Sequence, residues 1–535
     1  MNSGGVLVIG LDGGTLDVIR PLADSGCMPV FAKLLASGRS GPLRSTVPWY
    51  TIPGWTSLMT GVDPATHGLL YWVVADPDDY FEHARPGRRF VASGGIDHPT
   101  FWDVAGAAGR RVAVLNMPLT YPAWPVNGTM ITGLLTPHGA EAGACYPPDA
   151  LDRFPGYQVD MSASREGDSP DAPVASCVDL RAYFSELIEM TEGRRRAAAS
   201  LLAEDVDLSV VVFVGPDRIA HKAWPEQAAI LQRGPANETE RLIERYYATL
   251  DDAVGAMLEA AGPDVTVMVV ADHGFGPPPE TAFQVNAWLR EEGFLRLRMA
   301  TAHRAVSSAR MLRRIVGPAV RRWRARKPER DVTAVDWSRS AAYGVFYPHT
   351  RVFGIVLNRA GVKRQGSVQE AEVPALLERI ERRLREIRDP RGRPVVKGVR
   401  RTGDARAPGF PDLIVETEDP FVPADGLLGS RLFGAWEMVS GLHEPDGIFV
   451  LGGPPVRGTG AASADILDVA PTVLGLLGIR APASMEGSAR DDLVAFPPRA
   501  PAPPGIPTPA GRSADVSDEQ RDEIEAHLQA LGYLE

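Results

Sequence analysis

Five short apolar runs recur along this chain, each closed by glycine or a polar residue: "VLVIGLDGG" (6–14), "RVAVLNMP" (111–118), "LSVVVFVGPD" (208–217), "VTVMVVADHG" (265–274) and "GIFVLGG" (447–453). Near-continuous Val/Ile/Leu runs are what strands covered on both faces look like. Helical patterns lie between them, over 180–204 and in "ETERLIERYYATLDDAVGAMLEAAG" (238–262). This alternation predicts an α/β fold with a doubly wound, mainly parallel central sheet flanked by helices. In such sheets ligands gather beyond the carboxyl ends of the strands. Asp12, Asp217 and the Asp272–His273 pair close three of these runs, so they are predicted to converge on one edge.

At 535 residues the chain exceeds a single small core. The first part of the α/β core is expected over 1–283. The rhythm then breaks, and 284–404 is read as an inserted cap region, with strands in "AAYGVFYPHTRVFGIVLNRAG" and a charged helix in "VQEAEVPALLERIERRLREIRD" (368–389). The core is expected to resume with "APGFPDLIVE" and to fill 405–495. A Pro-rich linker (496–512) follows, since such composition buries little. Ser517 and Gln520 read as a capping box opening a C-terminal amphipathic helix within 513–535. That helix is expected to dock on the body or on a second copy, which leaves a homodimer open.

Composition excludes several classes. A formal net charge of −11 disfavours a nucleic-acid polymer as partner. Three scattered cysteines, Cys27, Cys145 and Cys177, give neither a disulfide framework nor a metal knuckle. The start "MNSGGVLVIGLDGG" has no basic region and reads as a strand, and no run approaches the roughly 18 apolar residues of a span. A cytoplasmic location is expected. Residues 301–330 carry ten Lys/Arg against one acid, Glu329. They read either as a solvated helical face or as a basic cap over an anionic substrate or membrane surface, so peripheral membrane contact stays open.

The residues that carry chemistry fall in five short elements: Asp12; the corner "TVPWYTIPGWTSLMTG" (46–61); "GPDRIAH" (215–221); "ADHGF" (271–275); and "GLHEPDG" (441–447). Asp217 and His221 are four apart, which puts both on one face of a helix. Asp272 and His273 can share a site only if the strand ends there, and Gly274 permits a turn. Asp and His without thiolates suit zinc or manganese in a catalytic site.

Taken in order, these elements resemble the alkaline phosphatase superfamily. The likeness is to its type I phosphodiesterase/nucleotide pyrophosphatase branch and the bacterial phosphohydrolase or phosphomutase relatives. The matching stretches are "VIGLDGG", "STVPWYTIPGWTSLMTGVDPATHGL", "NMPLTYPAWPVNGTMITGLLTP", "GPDRIAHKAW", "VVADHGF", "VNAWLREEGFL", "GLHEPDGIFVLGG" and "DVAPTVLGLLGI". The resemblance implies two divalent ions, zinc first and manganese as the alternative. It implies Asp217, His221 and His443 as ligands of one, and Asp12, Asp272, His273 and the nucleophile hydroxyl of Thr51 as ligands of the other. The implied activity is hydrolysis of a small phosphate ester, a phosphodiester or nucleotide-type substrate, through a phosphothreonine intermediate. Phosphomonoester, phosphonate and mutase chemistry on the same site remain alternatives, as does a non-catalytic ligand- or membrane-binding protein keeping the fold. Relatives carry a phosphoryl-donating Asn where this chain has Gly54; backbone amides of the corner or Asn116 are expected to stand in. Tyr50 and Trp55 are expected to line the substrate pocket, and His67 to fix a loop.

Overall fold

The computed structural model describes residues 4–72, 80, 91–137, 142–161, 180–298, 334–403, 409–427, 431–436, 441–511, 517, 520 and 522–525. Two compact units divide the chain. One takes residues 1–70, 90–278 and 438–534, and the other takes 71–89 and 279–437 together with residue 535.

The larger unit is built on β1 (Val6–Leu11), β2 (Arg39–Arg44), β3 (Val112–Met117), β4 (Gly128–Thr132), β5 (Cys145–Tyr146), β6 (Leu208–Phe213) and β7 (Thr266–Val270). With the strand Asp446–Gly452 and short edge strands, they form one sheet ordered Gly460–Ala461, β2, Asp446–Gly452, β7, β1, β6, β3, β4, β5. The pairs β7–β1, β1–β6, β6–β3 and β3–β4 are parallel. Asp446–Gly452 runs antiparallel to both neighbours. Every residue of β1, β3, β6 and β7 is buried, which is why these strands read as continuous apolar runs rather than alternating ones.

The helices of this unit are α1 (Leu16–Asp24), α2 (Pro29–Ser37), α3 (Thr51–Thr60), α4 (Pro64–His67), α5 (Phe101–Ala107), α6 (Leu180–Leu202), α7 (Gly215–Arg233) and α8 (Glu238–Ala261), with Val469–Leu476 after them. Leu7, Ile9 and Leu11 share a core with apolar residues of α1, α2, α6, α7 and α8. The alternate residues face the other way, and Trp55 of α3 sits against Gly10. Helices therefore cover both faces, as the doubly wound reading requires. Several helix starts are explicit in the sequence. Asn237 caps α8 through the Glu240 amide, and Thr100 with Asp103 closes a capping box on α5.

The second unit has its own core, with Trp288, Phe294, Phe353 and Leu413 among its members. Its four-stranded antiparallel sheet runs Ala342–Phe346, Val352–Leu357, Leu413–Thr417, Val396–Arg401. The charged helix expected over 368–389 is Val373–Arg385, led in by a single turn at Glu370–Glu372; Val373, Leu377, Ile380 and Leu384 are buried along it. The return to the core expected at 405 is corrected here. "DLIVE" lies in the strand Leu413–Thr417, paired with Val352–Leu357, and the unit runs on to residue 437. An apolar strand run carries no mark of which sheet it joins.

The Pro-rich segment is not a free linker. Ile479 and Ala500 form a β-bridge, the Phe496 ring packs onto Gly475, and the Ala510 amide donates to the Ile96 carbonyl at 3.1 Å. Proline removes donors from such a stretch but leaves its carbonyls and rings able to pack. Beyond it, Ser517 and Gln520 make both bonds of the expected capping box, 3.2 and 3.0 Å. Gln520 Nε2 also donates to the Tyr121 hydroxyl at 2.7 Å, and Ile524 is buried. The basic segment 301–330 and the rest of the C-terminal helix lie outside the described residues. Among the described residues no helix is long and apolar enough to cross a membrane.

Candidate metal centre

Each ligand-bearing residue is set by the end of a strand. β1 stops at Leu11, and Asp12 is followed by Gly13 at φ +63°. A β-carbon there would stand 2.8 Å from the Phe275 ring, so both conformation and space demand glycine. The Gly13 amide donates to Asp272 Oδ1 at 3.3 Å. β6 leads into α7, whose first turns carry Asp217 and His221. Gly215 opens that helix because the Tyr246 hydroxyl fills the place of a side chain. β7 ends before Asp272–His273, and β8 (Gly274–Gly276) pairs antiparallel with Leu442–Glu444, placing His443 opposite Phe275. Gly274 is needed for close approach rather than for a turn: its β-carbon would lie 2.1 Å from the Asp446 carbonyl.

Asp12, Asp217, His221, Asp272, His273 and His443 thus meet in one buried cluster, each 2% exposed or less. His221 Nε2 lies 3.3 Å from Asp217 Oδ1 and 3.0 Å from His443 Nε2. The His273 and His443 rings stack with centroids 3.7 Å apart. His273 Nε2 is 3.3 Å from Asp272 Oδ2 and 3.7 Å from Asp12 Oδ1. Ligand atoms of Asp217, His221 and His443 lie within 4.8 Å of one another, and so do those of Asp12, Asp217 and His273. Asp217 therefore faces both groups, which its place in one motif did not reveal.

Burial pushes the Asp12 carboxyl well above its ordinary range, and the charge of Asp217 adds to the rise. Burial likewise raises Asp272, helped by Asp12 and Asp217. Burial also works to raise Asp217, but His221, His273 and Arg218 outweigh it and hold that carboxyl low. Asp12 Oδ1 and Asp272 Oδ2 are buried with no hydrogen-bond partner. Three carboxylates and three imidazoles in a buried site form a donor set that divalent cations satisfy and that protein groups alone leave under-compensated. The residues present fit zinc or manganese.

Thr51 is the first residue of α3, 1% exposed, with Oγ1 3.5 Å from His273 Nε2. Tyr50 holds the N-cap position, so the Thr51 hydroxyl is not the cap. Its fellow hydroxyls are committed elsewhere. Thr56 and Thr60 bond back to the Ile52 and Thr56 carbonyls, and Ser57 Oγ pairs with His67 Nε2 at 3.0 Å. The Leu69 amide donates to His67 Nδ1, so His67 ties α4 to α3 and fixes the loop as expected.

Two of the expected substrate contacts take other roles. Trp55 is fully buried, and its indole N–H donates to Asp12 Oδ2 at 3.3 Å. Asn116, at φ +57°, donates to the Thr132 and Val159 carbonyls at 3.3 and 3.2 Å and accepts from the Tyr157 hydroxyl. Its amide is committed to the fold, so it is no substitute phosphoryl donor. Tyr50 is buried, with its ring stacked on His443 at a centroid distance of 5.9 Å. Gly54 lies against Asp272.

Sequence reasoning overlooked three supports. Ser45 Oγ donates to the Asp272 carbonyl. Phe275 packs against the rings of His221, His273 and His443. Buried Arg218, paired with Asp160 at 3.3 Å, sits between the two ligands of α7. Only the last had a signal, a cation inside the D-x-x-x-H spacing.

Comparison with known proteins places these residues in context. The family model described as type I phosphodiesterase/nucleotide pyrophosphatase matches residues 6–383. A search of curated proteins returns no match. Among solved structures, phosphonoacetate hydrolase from Sinorhizobium meliloti 1021, in complex with phosphonoacetate, is similar at TM-score 0.51 and 14% identity, over 87% of this chain and 94% of that one. Human ectonucleotide pyrophosphatase/phosphodiesterase 5 is similar at TM-score 0.47 and 13% identity, over 92% of this chain and 100% of that one.

Proposed function

The chain belongs to the type I phosphodiesterase/nucleotide pyrophosphatase family, and from that premise we propose that it is a two-metal phosphoric ester hydrolase with Thr51 as its nucleophile. The observation that carries the reading is the place of Thr51. Its hydroxyl is 3.5 Å from His273 Nε2, at the start of α3 and beside six buried Asp and His side chains. Asp217, His221 and His443 would hold one cation; Asp12, Asp272 and His273, with Thr51, would hold the other, and Asp217 also faces that second group. Bound cations supply the charge that makes an alcohol nucleophilic near neutral pH and that neutralises the oxygens of an in-line displacement.

The chain's own residues do the rest. The amides of the first turn of α3 favour a phosphoryl group beside Thr51. Thr51 Oγ1 gives up its proton and attacks phosphorus; the new P–Oγ bond forms as the bond to the leaving ester oxygen breaks, and the released alkoxide takes up a proton to leave as the alcohol. Water then cleaves the P–Oγ bond, returning the free hydroxyl with phosphate from a monoester, or with the phosphate monoester that keeps the second ester group from a diester. Burial of Thr51 keeps bulk water from the attack.

Turnover of monoester, diester, phosphonate and sulfate-ester chromogens with added zinc or manganese tests the reading. Activity on a phosphorus ester that vanishes in Thr51→Ala, with a phosphoryl group trapped on the Thr51 peptide after acid quench, is the expected result. Full metal-dependent turnover by Thr51→Ala would overturn it.

A further inference from the structure

The corner that carries Thr51 also grips one residue of each candidate metal group. Trp55 Nε1 donates to Asp12 Oδ2 at 3.3 Å, and Trp49 Nε1 donates to the His443 carbonyl at 3.0 Å. Both indoles are buried, at 0% and 2% exposure. An indole has one donor and no acceptor, so a buried one fixes whatever it points at. Tying down Asp12 Oδ2 leaves Oδ1 directed into the cluster, 3.7 Å from His273 Nε2.

The seat of Trp55 is itself built into the sheet. A β-carbon on Gly10 would stand 2.6 Å from Cη2 of the indole. Gly10 is two residues before Asp12, on the same side of the chain. A side chain at position 10 would lift the ring off β1 and break its bond to the carboxylate. His443 is held twice, through its carbonyl by Trp49 and through its ring by Tyr50. Partners of this kind fix the orientation of a ligand, and their loss lowers metal affinity by about 10- to 100-fold.

We propose that Trp55 and Trp49 are positioning residues for the two cation sites, Trp55 fixing the group that contains Asp12 and Trp49 the group that contains His443, with Gly10 as the seat that lets Trp55 reach Asp12. The proposal rests on the two-cation reading above.

Calorimetric titration of the chelator-stripped protein with Zn2+ tests it without recourse to activity. Trp→Phe keeps the ring and removes only the donor. Wild type is expected to bind two equivalents. Trp55→Phe is expected to bind one of them at least about 10-fold more weakly with the other unchanged, and Trp49→Phe to weaken the other. Gly10→Ala, which leaves every donor in place, should reproduce Trp55→Phe. In a His443→Ala background, which keeps the Asp12 group, Trp55→Phe should still weaken the remaining ion while Trp49→Phe leaves it alone. Wild-type affinity at both sites in both indole variants would overturn the proposal, and so would equal weakening of both ions by each. A wild type that takes up no divalent cation would overturn the two-cation reading itself, so the two failures are distinguishable.

Discussion

A β-carbon on Gly54 would stand 3.0 Å from both the Cβ and the carbonyl oxygen of Asp272. The first turns of α3 are thus pressed onto the end of β7, and a side chain there must push its neighbour aside by a few tenths of an ångström. Gly54→Ala should gain about 1 kcal/mol of helix propensity and lose about 1–3 kcal/mol to overpacking. Stability should therefore change little, while Asp272 is displaced. We expect Tm within a few degrees of wild type and kcat/KM lowered at least 10-fold, since small misplacements at a reacting centre are expensive in rate. Calorimetry and steady-state kinetics on the same preparation check both halves; unchanged kcat/KM would remove the constraint from Gly54.

Much of this site was legible because its chemistry is tied to strand ends. The runs closing near Asp12, Asp217 and Asp272–His273 are β1, β6 and β7, adjacent in the sheet, so a one-dimensional pattern sufficed to bring them together. His443 arrives by a two-stranded ribbon with β8, which no periodicity announces; its motif carried it. The protein-side partners of Trp55 and Asn116 are hidden in the sequence for a common reason. An aromatic ring or an amide beside a nucleophile looks the same in sequence whether its polar atom faces the substrate or the protein. Which it does depends on contacts between residues 43 apart for Trp55 and Asp12, and 16 and 43 apart for Asn116 and its acceptors. Close approach was equally invisible, since a glycine required at 54 or 274 by a neighbouring backbone resembles a glycine required by a turn.

His67 should make the protein sensitive to mild acid. Burial, and then the neighbouring His98, lower its pKa to about 3. The unfolded imidazole takes up a proton below about pH 6.5, and the folded one only near pH 3. The unfolded state therefore binds more protons across that window, and stability is lost as pH falls through it. Allowing for the partial exposure of the ring, about 1–2 kcal/mol should go between pH 7.5 and 4.5. His67→Gln can still accept from Leu69 and donate to Ser57 but cannot titrate. Denaturant unfolding at the two pH values should show a correspondingly smaller loss in that variant; an identical loss would show that His67 does not contribute.

The docked C-terminal segment should come loose without disturbing the site. Gln520 bonds to Tyr121 and Ile524 is buried, whereas Asp522 and Glu523 are exposed. Truncating a buried Ile to Ala removes about 2–5 kcal/mol of packing, more than a short terminal helix retains on its own. Ile524→Ala is expected to open this segment locally rather than unfold the unit. Limited proteolysis should cut after residue 511 many-fold faster than in wild type, with Tm and kcat/KM close to unchanged. A fall in kcat/KM matching the rise in cleavage would instead tie the tail to catalysis.

Asp217 is the one carboxylate common to both candidate groups, 3.3 Å from His221 Nε2 and 3.8 Å from His443 Nε2, and also grouped with Asp12 and His273. Its charge adds to burial in raising the carboxyls of Asp12 and Asp272 above their ordinary range. Removing it should therefore affect both cations, whereas His443→Ala or Asp272→Ala should affect one each. We expect wild type to carry two divalent ions, His443→Ala and Asp272→Ala one, and Asp217→Asn none, by elemental analysis after gel filtration. Stability gives a second readout: an ion held at a thousand times its Kd adds about 4 kcal/mol to the folded state. A chelator should lower the Tm of wild type strongly, that of the single-ion variants less, and that of Asp217→Asn not at all. If Asp217→Asn keeps as much metal as His443→Ala, the carboxylate serves one group and the sharing inferred from its position is wrong.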